Sequence, residues 1–142
     1  SPDGTKLIFR ASRPTTPDEI TEYKSLIAQD MVQPTKMELF MCNVDGSDLK
    51  QITKLGGANW APFMHPSGNK ILFSSNHMSP RGFPFNIFMI NVDGTGLEQI
   101  TFDNAFDSFP MFSFDGKKIA FSSNRNNGGT RDTNVFVAKW KD

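Results

Sequence analysis

Residues 38–53 read ELFMCNVDGSDLKQIT, and residues 86–101 read NIFMINVDGTGLEQIT. Ten of these sixteen positions are identical, with Glu38 matched to Asn86. A third copy, NVFVAKWKD, starts at Asn134, one equal step further on. A second motif alternates with the first: residues 65–77 are HPSGNKILFSSNH and residues 113–125 are SFDGKKIAFSSNR, separated by the same step. Residues 1–13, SPDGTKLIFRASR, are an earlier copy. The step from Ser1 to His65 is longer than that from His65 to Ser113, so the first repeat carries an insertion. Two motifs that keep one period mark a repeat architecture.

Each repeat decodes as four short strands. In the second they are Trp60–Met64, Lys70–Ser75, Asn86–Val92 and Leu97–Thr101, the middle two rich in β-branched and aromatic residues. Asp-Gly pairs at Asp3-Gly4, Asp45-Gly46, Asp93-Gly94 and Asp115-Gly116 supply turns, with Ser67-Gly68 as a variant, because glycine accepts the positive φ such turns need. Short connections make neighbouring strands antiparallel. Four antiparallel strands per repeat of roughly 40–50 residues describe a β-propeller blade. A β-sandwich would explain the strand number but not the period. The expected fold is therefore all-β, a partial propeller of about three blades with one helical insertion. Phe73, Phe121, Phe88 and Phe136 are the expected core between blades.

The blades divide as residues 1–55, 58–101 and 106–142. The first lacks its innermost strand and the last its outermost. Such a chain leaves open blade faces and unpaired edges, which favour association. It reads either as a piece of a longer propeller or as a homo-oligomer in which copies complete a ring.

Residues 14–37 interrupt the first repeat. Thr16-Pro17-Asp18-Glu19 is a helix start, with Thr16 as N-cap, Pro17 in the first turn and Glu19 placed for a capping box. Ile20, Tyr23, Leu26, Ile27 and Met31 follow at helical spacing. The expectation is a helix from Pro17 to about Met31, packed down on the loop face or poised there as a lid or partner-binding helix.

The motifs S-P-D-G-x-K-[LI]-x-F and N-[IV]-F-x-x-N-x-D-G-x-x-L-x-Q-[IL]-T resemble the PD40 repeat of the TolB-like propellers. The likeness covers nearly the whole chain outside residues 14–37. It departs at Pro66-Ser67 and at Phe114-Asp115, where the Pro-Asp pair is altered. The resemblance implies a periplasmic or secreted propeller. It leaves function open, since the same repeat occurs in scaffold proteins, in propellers that gate serine peptidases and in oligogalacturonate lyases.

Composition narrows the function classes. The 142 residues carry 15 Lys+Arg against 15 Asp+Glu, so the basic excess of a phosphate-contacting nucleic-acid binder is absent. No apolar run exceeds about five residues, too short for a membrane span. A single cysteine, Cys42, excludes an internal disulfide and a cysteine-rich metal site. Fourteen Phe against one Tyr indicates ordered, buried packing rather than disorder. Nucleophile-elbow, zinc-protease and phosphate-loop motifs are missing. His65 and His77 stand at opposite ends of one strand, too far apart to share a metal. The Asn/Asp-rich segments 103–107 and 124–134 match no EF-hand and read as Asx turns rather than calcium loops. No catalytic residue, metal or cofactor is assigned.

What remains is one rim, where the second-to-third-strand loops and the inter-blade connections emerge together. Arg13, His77 and Arg125 take equivalent repeat positions there, Arg81, Phe83 and Phe85 share a loop, and Arg131 lies in another. Asn59 and Asp107 are equivalent positions at the starts of innermost strands, with Trp60 after Asn59. Arg beside aromatics is the composition of a binding surface. The expected function is a non-catalytic module binding a protein or glycan through this rim and the channel mouth. The alternative is the propeller part of an enzyme, a gating propeller or a lyase. On the rim reading, Arg125→Ala and Trp60→Ala weaken capture while leaving the melting temperature nearly unchanged.

Overall fold

A computed structural model describes residues 1–33, 36–79, 82–130 and 132–141. Among these residues ten strands form three antiparallel sheets, accompanied by one helix. Blade 1 is β1 (Lys6–Ala11), β2 (Glu38–Asn43) and β3 (Lys50–Gln51), with α1 (Pro17–Ile27) inserted between its first two strands. Blade 2 is β4 (Asn59–Met64), β5 (Lys70–Ser75), β6 (Asn86–Asn91) and β7 (Glu98–Gln99). Blade 3 is β8 (Asp107–Phe112), β9 (Lys118–Ser123) and β10 (Asn134–Lys139). This is a partial propeller with incomplete first and last blades.

Repeated side chains explain the repeated motifs. The Asp of each Asp-Gly turn folds back on the chain: Asp45 Oδ1 accepts from the Ser47 amide at 2.9 Å, and Asp93 Oδ1 from the Thr95 amide at 2.9 Å. The following glycines sit at φ +84° and +87°, where only glycine is unstrained. In Q-I-T the outer strand turns away early, which is why β7 spans only Glu98–Gln99 rather than 97–101. The Thr101 hydroxyl accepts the Ile87 amide at 2.9 Å, and Gln99 Nε2 donates to the Thr101 carbonyl at 2.8 Å. Thr53 and Gln51 repeat both bonds in blade 1. In S-S-N the asparagine accepts the amide just before an inner strand: Asn76 Oδ1 from Ala58 and Asn124 Oδ1 from Phe106, both at 2.7 Å.

The core lies between blades. Blade 1 presents Leu39, with Ile8 and Met41, to Ile71, Phe73, Phe88 and Ile90 of blade 2. The other face of blade 2, Leu72, Ile87 and Met89, meets Phe112, Ile119 and Phe121 of blade 3, with Phe136 and Trp140 partly buried against them. Phe73 is fully buried, Phe88 and Phe121 nearly so, and Phe136 is half-buried because its blade ends the stack. Burying one such ring is worth about 3 kcal/mol. The outward faces stay open: Val135 is 74% and Val137 68% exposed on blade 3, and Leu7 is 49% exposed on blade 1.

The insertion is helical, with the capping box formed. Thr16 Oγ1 accepts the Glu19 amide at 3.2 Å, and Glu19 Oε2 accepts the Thr16 amide at 3.3 Å. The helix ends at Ile27, short of the expected Met31. Asp30 takes φ +57°, and the Met31 amide closes back on the Leu26 carbonyl at 2.9 Å, a Schellman-type stop that needs no proline. No helix residue is buried, so α1 is not packed down on the sheets. It lines one wall of an open groove, with Tyr23 and Leu26 facing Arg13, Val32 and Lys36. No helix among the described residues is long and apolar enough to cross a membrane.

Candidate functional site

The rim is built from the starts of β4 and β8, the ends of β1, β5 and β9, and the loops beside them. In each blade, the residue two positions past the second strand covers the phenylalanine of the third. Arg13 lies 5.6 Å over the Phe40 ring, His77 4.6 Å from Phe88, and Arg125 5.8 Å from Phe136 and 5.1 Å from Phe121. One seat thus recurs three times, twice with a guanidinium and once with an imidazole.

The seats in blades 2 and 3 also hold the first residue of the inner strand, and they differ in charge. In blade 2, Asn59 is fully buried. Its Nδ2 donates to the Met37 and Gly56 carbonyls at 2.9 and 3.0 Å and to Glu38 Oε2 at 3.2 Å. The Ser75 hydroxyl gives its one proton to Asn59 Oδ1 at 2.7 Å. The contact between Ser75 Oγ and His77 Nδ1, also 2.7 Å, therefore places the imidazole proton on Nδ1. Burial holds the His77 pKa below the usual histidine range, with the nearby Glu38 carboxylate opposing. In blade 3 the seat is ionic. Asp107, wholly buried, pairs with Arg125 Nη2, while Arg125 Nε donates to Ser123 Oγ at 3.1 Å.

These contacts change the reading of three predicted site residues. Arg125 and Asp107 are bound to one another, and Asn59 is anchored on backbone carbonyls, so each shapes the rim from within. Trp60 is half-buried, stacked on Phe85 at 4.7 Å and edge-on to Phe106 at 6.3 Å. Arg125→Ala and Trp60→Ala would therefore remove structural contacts as well as rim surface, so each is now expected to lower the melting temperature. Arg13 is exposed, His77 is half-buried and Phe85 is buried. Arg81 and Arg131 lie outside the described residues.

A cluster centred on Trp60 and Phe85 takes in Phe83 of the same loop and extends to Phe109, which the sequence reading did not name. Phe83 packs edge-on to Phe85 at 5.8 Å and Phe109 edge-on to Phe106 at 6.5 Å. Phe83 is 67% and Phe109 57% exposed, so five contiguous rings run from the buried Phe85 to open solvent. Phe109 reaches the rim through a bulge. It sits at φ +54°, and its strand shifts register between Ser108 and Met111; Ala61 does the same in β4 at φ +49°. The Pro62 and Pro110 that follow are the sequence mark of this bulge, because proline cannot donate to a regular ladder. Trp60 Nε1, Asp107 Oδ1 and Ser108 Oγ are buried here without a hydrogen-bond partner among the described residues. Among those residues no three His, Cys, Asp or Glu side chains converge as metal ligands.

The comparison with solved structures places this geometry. A TolB structure from Agrobacterium tumefaciens superposes over 98% of this chain at a TM-score of 0.70 with 23% identity. The fold is that of a TolB-type β-propeller. TolB from Acinetobacter baumannii matches over 98% of the chain at a TM-score of 0.67 and 21% identity. An oligogalacturonate lyase solved with manganese matches over 95% at a TM-score of 0.58 and 19% identity. The chain spans 43%, 28% and 36% of these three proteins, less than half of each. No protein-family profile and no curated protein sequence matches it. The TolB-type fold brings all second-to-third-strand loops to one rim, which is where the aromatic cluster lies.

Proposed function

We propose that this chain is a non-catalytic binding module of the TolB type, acting outside the cytoplasm in the periplasm or beyond. It captures a protein or glycan partner on the rim that carries Phe83 and Phe109. The observation that carries this reading is the run of five touching aromatic rings whose two ends are open to water. Exposed rings of this size favour a partner that covers them. Arg13 and the half-buried His77 flank the rim, and the buried Asp107–Arg125 pair holds the shape of its wall. The enzyme alternative has support only in the shared fold, and fold alone does not choose a chemistry.

The test is capture at Phe83. A photoreactive phenylalanine analogue at position 83, in cells expressing the full reading frame, is expected to crosslink one discrete partner, and Phe109→Ala is expected to abolish the crosslink. Binding of the purified chain on a glycan array, lost in Phe83→Ala, would assign the partner to the glycan class. Crosslinking unaffected by Phe109→Ala, together with no glycan signal, would contradict the reading. The open faces carrying Leu7, Val135 and Val137 also support association with further blades, supplied by a second copy or by the rest of a longer propeller.

A further inference from the structure

We propose that Asn127, in the loop between β9 and β10, is a site of spontaneous covalent modification: it cyclises onto the Gly128 nitrogen, loses ammonia and hydrolyses to a carboxylate, which makes this loop a one-way charge switch on the rim. Five glycines of the chain follow an aspartate or asparagine: Gly4, Gly46, Gly94, Gly116 and Gly128. Each such pair sets a backbone nitrogen beside the side-chain carbonyl of the residue before it, with no Cβ to screen the approach. The structure separates the fifth pair from the other four.

In the four Asp-Gly turns the glycine nitrogen is occupied. Its N–H donates to the carbonyl three residues back, Gly4 to Ser1 at 3.0 Å and Gly46, Gly94 and Gly116 to Asn43, Asn91 and Ser113 at 2.9 Å each. That bond must break before the nitrogen can attack. The electrophile is poor as well. Bonds from the Ser47, Thr95 and Ser113 hydroxyls hold the Asp45, Asp93 and Asp115 carboxyls below the usual carboxylate range, and so ionised. At the fifth pair both obstacles are gone. The Gly128 N–H has no acceptor among the described residues, and nothing lies within 4 Å of where a Cβ on Gly128 would stand. Asn127 carries a neutral amide, and its Oδ1 accepts the Gly129 amide at 3.0 Å. That donor sits on the oxygen where negative charge develops when Cγ is attacked.

The reaction needs only water. Solvent hydroxide takes the Gly128 amide proton, the nitrogen bonds to Asn127 Cγ, and the Cγ–Nδ2 bond breaks as Nδ2 takes a proton from water and leaves as ammonia. Water then opens the cyclic imide at either carbonyl, giving the aspartyl product or its isoaspartyl isomer. Both products add a carboxylate. In the aspartyl form an oxygen stands where Nδ2 now donates to the Thr130 carbonyl at 2.7 Å, so two acceptors meet with no proton between them. The Thr130 amide and hydroxyl both donate to the Asn127 carbonyl, at 3.3 and 3.0 Å, so the displacement passes on to Thr130. A chain of zero formal net charge gains a negative charge two residues after Arg125.

The test follows amide loss by peptide mapping in mildly alkaline buffer, in the purified chain and in an Asp93→Asn variant. That variant puts the same dipeptide into a turn whose glycine nitrogen is bonded. In the folded chain position 127 should react at least about fivefold faster than position 93, the factor that one turn hydrogen bond supplies. In concentrated urea the two rates should converge. Asn127→Gln should abolish the acidic form that grows in on isoelectric focusing. Asn127→Asp should speed hydrogen exchange at the Thr130 amide while leaving β9 and β10 unchanged. Equal rates at the two positions in the folded chain, or an intact Asn127 after position 93 has reacted, would overturn the proposal. Thr130 exchange in Asn127→Asp no faster than in the parent chain would overturn the switch.

Discussion

Ile87 and Met89 are buried, while Val135 and Val137, the same positions of the repeat one blade later, are 74% and 68% exposed. The strands themselves are alike. β6 and β10 each pair over their whole length with the second strand of their blade, Phe88 facing Phe73 and Phe136 facing Phe121. What differs is the neighbour: blade 3 covers one face of β6, and no described residue covers the matching face of β10. Burial in this fold is a property of the stack rather than of the strand, and stability is expected to be greatest in the middle blade.

The largest expected effect follows from that contrast. Phe73→Ala should cost about 3–5 kcal/mol in denaturant unfolding, whereas Val137→Ala should stay within about 0.5 kcal/mol. Similar losses from both would mean that the outer face of blade 3 is covered. The two polar seats extend the comparison. Arg125→Ala leaves Asp107 buried and unpaired and should cost about 3 kcal/mol. The double change Asp107→Asn with Arg125→His converts the blade 3 seat to the blade 2 kind and should recover most of that loss. A double variant as unstable as Arg125→Ala would show that the seats are not interchangeable.

A smaller effect separates the insertion from the sheets. Thr16→Ala removes the cap and should cost the helix about 1 kcal/mol, read as lost helical circular dichroism. Because no residue of α1 is buried, the unfolding of the sheets should be unchanged. The Lys36 ammonium, with the Thr15 and Thr16 amides, holds the Glu19 pKa down at about 2. A lowered carboxylate pKa stabilises above its ordinary value and loses that contribution as the group protonates. Helix content should therefore fall as pH drops from about 4.5 toward 2. The smallest effect is at His77. Its lowered pKa means that the folded chain favours neutral imidazole, so stability is complete above about 6.5 and declines as pH falls below it. His77→Asn should flatten the slope of melting temperature between about pH 7 and 5, and an unchanged slope would place its origin elsewhere.

The constant period made the blades legible because each motif has a local cause: the Asx turn of Asp-Gly, the Thr101 hydroxyl that replaces a ladder bond, and the Asn76 side-chain carbonyl that precedes an inner strand. Phe73 and Phe88 could be placed in the core for the same reason. The rim was less legible. Repeat equivalence brought Arg13, His77 and Arg125 to matching seats, but it could not say that Arg125 would be satisfied by a buried Asp107. Phe83 and Phe109 carried no periodic signal. Phe83 lies in a loop that varies between repeats, and Phe109 owes its exposure to a backbone bulge whose one trace is Pro110. The early end of α1 was equally hidden, because it rests on the positive φ of Asp30, which no periodic signal marks.

Amide hydrogen exchange on the isolated chain, resolved strand by strand at low protein concentration, tests the stacked arrangement directly. Slowest exchange in β5 and β6, faster exchange in β1 and β9, and the fastest in β10 and α1 is the order expected. Exchange in β10 as slow as in β6 would contradict it, since Val135 and Val137 leave the outer face of β10 open to water.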